Sequence, residues 1–276
     1  MSHTATSDTA LAPLVEAHWG SSGARVGTLQ SRREAVDRVI RTLRERYREP
    51  LTLDAMARVA FSSPYHFNRV FRQITGVSPG QYLAAVRLEA AKRLLLTTHL
   101  SVTAICYEIG YNSVGSFTTL FTALVGVSPH RLRRLDRNAL GGVLRSLPQA
   151  ARAASGRETL RVEAPPGFDG QVFVGLFPTA IPRGRPLACA VADGPGGVQL
   201  PPVADRSCYA FALGLGRDRH PADLLLCSDT LRGSTGPLHA RAGEVEPAVL
   251  TLRPPDPADP PLLVALPCLL AEHAAG

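Results

Sequence analysis

An internal repeat constrains the fold of this chain more than any other feature of its sequence. The segment FSSPYHFNRVFRQITGVSP at 61–79 aligns with YNSVGSFTTLFTALVGVSP at 111–129, which gives a period of 50 residues. Phe61 then stands opposite Tyr111, and each copy carries two Phe four residues apart and ends in Gly-Val-Ser-Pro. Because residues four apart lie on one face of a helix, each copy predicts a helix with a buried aromatic stripe.

The residues around each predicted helix indicate where it begins and what precedes it. Ser63 and Ser113 stand where an N-cap is expected, since a hydroxyl can accept a hydrogen bond from a free first-turn N–H. Pro64 follows at the first helical position, where its missing donor costs nothing. Short amphipathic segments, Leu53–Ala60 and Val102–Ile109, lie one tight turn upstream. Two such pairs predict two helix-turn-helix units, and the alternative is a helical bundle whose polar face is only solvated.

These motifs closely resemble the DNA-binding domain of AraC/XylS-type transcription regulators, and the resemblance covers about residues 33–135. It implies seven helices in two subdomains and double-stranded DNA as the partner. It also implies that a long fourth helix, over Tyr82–Leu96, holds the two recognition helices at the spacing of successive major grooves.

The resemblance further implies a set of DNA-contacting residues. The implied base contacts are Tyr65, Asn68 and Arg69 in the first recognition helix and Gly115, Ser116, Thr118 and Thr119 in the second. The implied contacts with the DNA backbone are Ser63, His66, Arg72, Gln73, Arg87 and Ser113. Four positions depart from the usual family pattern: Thr119 replaces an Arg, Gly115 an aromatic residue, Leu132 a Tyr and Cys106 an Ala.

The two recognition helices differ in the chemistry they offer to bases. Arg69 can bond guanine O6 and N7 together, and Asn68 can do the same for adenine N6 and N7. The short side chains of the second helix can touch phosphates or a thymine methyl group but cannot make a bidentate guanine contact. We therefore predict that the first helix carries most of the sequence specificity.

Positive charge is concentrated in the repeat region. The formal net charge of the chain is +7, yet residues 31–137 hold 17 Lys and Arg against 8 Asp and Glu, whereas residues 138–276 hold 12 against 13. A basic segment beside a neutral one predicts a polyanion as the partner of the first segment alone.

Composition also indicates the domain boundaries. Residues 1–30 are rich in Ser, Thr, Ala and Gly and are expected to form a flexible arm. Ser31 is expected to open the first helix as its N-cap, with Glu34 completing a capping box. Residues 138–159, which contain Gly-Gly and lack apolar periodicity, are expected to link a helical domain at 31–137 to a second domain at 160–276.

The second domain shows a β pattern. Short apolar runs broken by Pro, Gly and Asp predict an antiparallel sandwich, so the expected fold class is multidomain: an all-α double helix-turn-helix domain followed by an all-β sandwich. The runs are LRVEA, QVFVGLF, PLACAVA, GVQL, SCYAFALGL, DLLLC, PLHARA, AVLTLR and LLVALP. The hairpin at 198–215 resembles prealbumin-like or carboxypeptidase-regulatory-like sandwiches, which makes the expected sandwich Ig/prealbumin-like.

Three roles are open for this β domain. Binding of a small effector predicts a concave apolar pocket, whereas docking of a protein or of a second copy predicts an exposed apolar patch or edge strand. RNA polymerase is one candidate protein partner. Hydrolytic chemistry would need a gathered cleft, but His220 and His239 show no triad or ligand spacing with the nearby Asp residues.

Enzymatic, metal-binding and membrane roles find no support in the sequence. Five cysteines include no Cys-x-x-Cys pair, so neither a metal site nor a disulfide framework is expected. We expect no cofactor and no catalytic residue. Without a visible targeting segment or an apolar run long enough to span a membrane, the protein is expected to be cytoplasmic.

Overall fold

The computed structural model describes residues 24–134, 160–219, 230–256, 259 and 261–265, with side chains from residue 29 onward. Within these residues a helical domain is followed by a β domain. The predicted linker, 138–159, and residues 1–23 of the predicted arm lie outside the described residues.

The helical domain contains the predicted helix pairs. The helices in the described part of the chain are α1 Ala24–Arg46, α2 Leu53–Val59, α3 Pro64–Thr75, α4 Pro79–Thr97, α5 Val102–Glu108, α6 Val114–Val125 and α7 Pro129–Arg133. Helices α2 and α3 form the first helix-turn-helix unit, and α5 and α6 form the second. The number of helices and the long α4 agree with what the resemblance implies.

The start of α1 differs from the prediction. The sequence predicts Ser31 as the N-cap, whereas α1 begins at Ala24, so Ser31 lies inside the helix. Glu34 accepts a hydrogen bond from Gln30 Nε2 at 3.3 Å, one turn earlier in the same helix, instead of forming a capping box. A Ser-x-x-Glu pattern is a start signal only where the preceding residues are not helical, and here they are.

The period of 50 holds for α3 and α6 but not for the helices that precede them. The turn from α2 to α3, residues 60–63, is one residue shorter than the turn from α5 to α6, residues 109–113. Phe61 and Gly110 are the left-handed residues of the two turns, with φ of 51° and 84°. The structural counterpart of Phe61 is therefore Gly110 and not Tyr111, as the sequence alignment predicts.

The β domain holds most of the predicted strands. The strands are β1 Leu160–Glu163, β2 Gly170–Phe177, β3 Ala188–Asp193, β4 Gly196–Val198, β5 Arg206–Gly216, β6 Leu231–Arg241, β7 Glu244–Val245 and β8 Ala248–Thr251. The prediction missed β7 and the first half of β6, and the run DLLLC lies outside the described residues.

Two sheets, with strand orders β4-β1-β8 and β3-β2-β5-β6-β7, make up this domain. The five-stranded sheet is antiparallel throughout, as predicted. In the smaller sheet β1 and β8 run parallel, with Leu160 opposite Ala248, so the prediction of a wholly antiparallel sandwich is wrong for this pair. Strand direction depends on the long path of the chain between two strands, which the local alternation of residues does not encode. The Ig/prealbumin-like assignment stays a prediction.

The two sheets enclose one apolar core. Val162 of β1, Val172 of β2, Cys208 of β5 and Leu250 of β8 are buried together in it. An isolated bridge between Arg232 of β6 and Arg253, two residues beyond β8, also joins the two sheets. The inner face of the five-stranded sheet is thus occupied, which leaves its outer face for contact with the rest of the molecule.

Residues 261–265, called the strap below, lie between the two domains. The sequence predicts a strand over LLVALP, but the described residues of this run belong to no strand. Leu262 and Val264 pack on the outer face of the five-stranded sheet, whereas Leu263 and Ala265 join the core of the helical domain. Side chains of the strap do alternate between two sides, as they would in a strand. One side faces the five-stranded sheet and the other faces the helical domain.

Helix α4 donates hydrogen bonds to the strap and to Asp259 just before it. Lys92 is 2% exposed, and its Nζ donates to the carbonyl oxygens of Leu262 at 3.0 Å and Val264 at 3.4 Å. The hydroxyl of Tyr82 donates to the carbonyl oxygen of Asp259 at 3.1 Å. These bonds satisfy carbonyl groups that have no sheet partner, which is what buried backbone oxygens require.

The loop after β2 makes a second contact between the domains. Ile181 is buried in the helical core, and the N–H of Gly184 donates to the carbonyl oxygen of Leu124 near the end of α6 at 2.6 Å. At the end of α3, Gly76 approaches the same loop so closely that an added Cβ would lie 2.5 Å from the Cβ of Ala180. Both predicted recognition helices therefore end against the β domain.

Candidate nucleic-acid interface

Matched caps position the two recognition helices, α3 and α6. Ser63 and Ser113 are their N-caps, as predicted: the hydroxyl oxygens accept from the N–H groups of His66 at 3.4 Å and Ser116 at 3.3 Å. Gly76 follows α3 in the left-handed conformation with φ of 75°, and the glycine after α6 has φ of 93°. Each helix therefore begins and ends at a residue that the sequence specifies locally.

Aromatic packing fixes the buried face of each recognition helix. The rings of Phe67 and Phe71 lie 5.5 Å apart in α3, and those of Phe117 and Phe121 lie 5.6 Å apart in α6. Phe71 also packs edge-on against Tyr82 of α4, at 5.6 Å. Because these faces are buried, the opposite faces of α3 and α6 are the ones left for a partner.

The polar face of α3 presents the predicted base-contacting residues. Tyr65 and Arg69 are exposed and Asn68 is half-buried. Arg69 Nη2 lies 3.3 Å from Nδ1 of His66, which orients the guanidinium along the first two turns of the helix. Of the predicted backbone contacts on α3, Arg72 is exposed and His66 is half-buried. This face offers both the bidentate guanine donor and the adenine-reading amide that the sequence predicted.

The side chains on the corresponding face of α6 are shorter than those on α3, and none of them is charged. Gly115, Ser116 and Thr119 are exposed and Thr118 is half-buried. The hydroxyl of Thr118 and its neighbours extend only a short distance from the helix, so they reach phosphates or methyl groups and not two base atoms at once. The base-contact roles of these residues remain predictions, and so does the asymmetry between the two helices.

Arg87 binds carbonyl groups of the protein itself. Its Nε donates to Tyr47 O at 2.7 Å and its Nη2 donates to Glu49 O at 2.8 Å. The guanidinium also lies over the ring of Tyr111, 5.5 Å from the ring centre. Burial lowers the pKa of the Arg87 side chain. Arg87 thus joins the segment between α1 and α2 to the turn before α6. Its contact with the DNA backbone remains a prediction.

A single rigid helix separates the two units. Helix α4 runs from Pro79 to Thr97, which at 1.5 Å per residue is about 28 Å. Ser78 and Gln81 form a capping box at its start, and most of its apolar residues are buried. A connector of this length is comparable to the rise of one turn of B-DNA, about 34 Å.

The contacts with the β domain fall at the far ends of the recognition helices. Gly76, Leu124 and Val125 make them, and the carbonyl of Val125 accepts from the N–H of Ala265 of the strap at 3.2 Å. The predicted base-contacting residues lie in the first halves of α3 and α6. The β domain therefore contacts α3 and α6 at their C-terminal ends, whereas the predicted base-contacting residues lie near their N-terminal ends.

Sequence reasoning missed two residues around this interface. Lys92, which stands in a strongly basic segment, is buried against the strap, and no signal in the sequence marks its burial. Phe61, which the repeat placed opposite the half-buried Tyr111, is 87% exposed. Its signal was the difference in length between the two turns, which alignment of the recognition helices hides.

Other kinds of site are not evident in the part of the chain that the structure describes. There, no group of three or more His, Cys, Asp or Glu residues could hold a metal ion, and no helix is both long and apolar enough to cross a membrane. A cavity of about 410 Å³ opens between α1 and α2, lined by Val39, Leu43 and Met56 among others. It lies in the helical domain, whereas the predicted effector pocket belongs to the β domain.

Comparison with known proteins points to the same region. Residues 56–135 match the family model described as "Helix-turn-helix domain". Among curated proteins, the chain is 33% identical over 104 residues to "Bifunctional transcriptional activator/DNA repair enzyme AdaA" of Bacillus subtilis, an alignment covering 38% of this chain and 49% of that protein. It is 37% identical over 115 residues to "HTH-type transcriptional regulator GlxA" of Rhizobium meliloti, covering 42% and 35%.

One solved structure is similar to part of this chain. The C-terminal domain of AraT, a response regulator from Geobacillus stearothermophilus, is 33% identical, with a TM-score of 0.35, and covers 36% of this chain and 84% of that chain. The chain spans about half or less of the length of the two curated relatives.

Proposed function

We propose, from the premise that residues 56–135 are an AraC-type helix-turn-helix domain, that this chain is a sequence-specific DNA-binding transcription regulator. Its two recognition helices enter successive major grooves on one face of a duplex. The observation that supports this most directly is the pair α3 and α6. Both helices are capped by serine, both bury two Phe on one face, and both belong to helix-turn-helix units that α4 joins.

Charge supports DNA as the partner. The segment that contains both recognition helices, residues 31–137, is strongly basic, and the remaining residues to 276 are nearly neutral. Two arginines are exposed on α3: Arg69, a predicted base contact, and Arg72, a predicted contact with the DNA backbone. Arginine pairs with phosphate oxygens and with guanine, so the charge asymmetry matches the position of the proposed interface.

The proposal extends to the β domain, which modulates DNA binding through its contact with both recognition helices. The first hypothesis is a small effector that binds the β domain, and the alternative is a protein-interaction or self-association module; RNA polymerase is a candidate protein partner. In either case the effect of binding at the β domain reaches the recognition helices through the strap and the loop after β2, because these segments contact the ends of α3 and α6. The DNA repair activity in the name of one relative is not proposed for this chain.

The test is selection of binding sites from random duplexes by the full chain. The proposal expects enrichment of one sequence family in which conserved bases fall in two blocks about 10 base pairs apart. Affinity for a selected duplex is then compared with affinity for a scrambled duplex of the same composition, at one fixed salt concentration. Equal affinity for the two, or no enrichment, would overturn the proposal of sequence-specific binding.

A further inference from the structure

The two turns that lead into the recognition helices are built differently. After α2, the N–H of Phe61 donates to Arg58 O at 3.1 Å; after α5, the N–H of Gly110 donates to Tyr107 O at 3.0 Å. The two residues therefore occupy equivalent positions. The second turn has one residue more before its N-cap, and that turn includes Tyr111, whose ring packs against the core.

The backbone at this position is left-handed. Glycine is the usual residue in such a conformation because it has no Cβ. Gly110 has φ of 84°, and an added Cβ there would lie 2.5 Å from Arg48 O. Phe61 has φ of 51°, a conformation that is unfavourable for a bulky residue by about 1–3 kcal/mol. The first turn thus holds a phenylalanine in a conformation that suits glycine.

Burial does not compensate for this strain. The side chain of Phe61 is 87% exposed, so little of the favourable free energy of burying an aromatic ring is gained within the chain. Its contact within the helical domain is with Arg38 of α1, whose guanidinium carbon lies 5.7 Å from the ring centre. A strained and exposed aromatic residue beside a binding face indicates a role in binding.

The position of Phe61 continues the proposed DNA interface. It precedes the N-cap of α3 by two residues, and Tyr65, on the first turn of that helix, is also exposed, at 83%. The N-terminal part of a recognition helix is the part that approaches base edges. Two exposed aromatic residues therefore stand at the N-terminal end of α3, and the guanidinium of Arg38 lies beside the first of them.

We propose that Phe61 is a specificity-determining DNA contact, whose ring packs on the C5-methyl group of a thymine at the edge of the first half-site while Arg38 pairs with a neighbouring phosphate. The inference rests on the proposed function. Phenylalanine is suited to the thymine methyl group because both are apolar and the contact removes both from water. The second half-site has no equivalent, since glycine occupies the matching position there.

Substitution of Phe61 by glycine separates this role from a structural one. Phe61→Gly removes the backbone strain, so the midpoint of thermal unfolding is expected to rise by about 2–4 °C. Affinity for the selected duplex is nonetheless expected to fall about 5- to 10-fold, because the apolar contact is lost. A purely structural residue would not show greater stability together with weaker binding. Leu100→Ala, which truncates an exposed apolar side chain in the loop after α4, is the control and should leave affinity unchanged.

The thymine itself provides the second arm of the test. Each thymine of the first half-site is replaced in turn by deoxyuridine, which lacks only the methyl group. At one position the wild-type protein should lose about as much affinity as Phe61→Gly does, and the variant should lose nothing further there. Unchanged affinity of Phe61→Gly, or equal losses on deoxyuridine substitution in both proteins, would overturn the proposal. If the wild-type protein selects no duplex at all, the proposed function itself has failed instead.

Discussion

Single side chains specify most of the helix boundaries in this protein. Ser or Thr hydroxyls cap six of the helices in the described residues, at Thr52, Ser63, Ser78, Ser101, Ser113 and Ser128. Such caps act within three or four residues, which is why the sequence predicted α3 and α6 with their correct first residues. The prediction of Ser31 as an N-cap was wrong because a pattern of three or four residues does not show whether the residues before it are also helical.

The chemistry of single residues also sets the expected difference between the two recognition helices. Arg69→Ala is expected to weaken binding to the selected duplex by about 1–3 kcal/mol and to relax the preference at one base position, because a bidentate guanine contact is lost. Thr119→Ala at the corresponding face of α6 should cost well below 1 kcal/mol, because its hydroxyl makes at most a single bond. Titrations of both variants at one salt concentration measure this; equal losses would contradict the asymmetry.

Tyr82 makes the stability of the molecule depend on pH in the alkaline range. Burial raises the pKa of Tyr82 to about 12, from an ordinary value of 10.0. Above pH 10 the unfolded chain releases this proton while the folded chain keeps it, so the stabilising contribution is complete below pH 10 and is lost as the pH rises through about 12. The free energy of unfolding of the wild-type protein should therefore fall more steeply over this range than that of Tyr82→Phe. A difference between the two proteins that does not vary with pH would contradict this assignment.

At the scale of elements, the packing partners of the strap could not be predicted from the sequence. The alternation in LLVALP is real, and Leu262 and Leu263 do face opposite sides. A β pattern of this kind predicts two apolar surroundings but not which elements provide them. The helix that provides one side, α4, is separated from the strap by more than 160 residues, and that pairing results from tertiary packing alone.

Lys92 connects these two elements, so its substitution tests their coupling. Lys92→Met keeps most of the side-chain volume but leaves the carbonyl groups of Leu262 and Val264 without their donor, and we expect a loss of about 1–3 kcal/mol in the free energy of unfolding. The strap also contacts the end of α6, so affinity for the selected duplex should change as well. Arg93→Met, one residue further and exposed, is the matched control for charge.

Chemical denaturation and DNA titration of both variants measure the effect. If Lys92→Met matches Arg93→Met in stability, the buried bonds do not hold the strap. If stability falls but DNA affinity stays unchanged, the strap holds the domains together without influencing the recognition helices.

At the scale of the whole molecule, the division into a helical and a β domain could be predicted, but their assembly could not. Repeat, charge and strand-like runs each reflect local composition, and they separated residues 31–137 from residues 160–276. The parallel pairing of β1 with β8 and the insertion of Ile181 and Leu263 into the helical core are long-range contacts. Nothing in a single sequence marks the partner of such a contact.

The whole assembly predicts how the molecule sits on DNA. Helix α4 joins the two helix-turn-helix units, and the β domain contacts the C-terminal ends of α3 and α6. Both recognition helices should therefore reach a duplex from the same direction, about one helical turn apart.

Hydroxyl-radical footprinting of the full chain on a selected duplex tests whether both recognition helices bind one face of the DNA. We expect two protected patches on the same face of the duplex, centred about 10 base pairs apart, both of which disappear when the duplex is scrambled. A single protected patch, or two patches on opposite faces of the duplex, would contradict it.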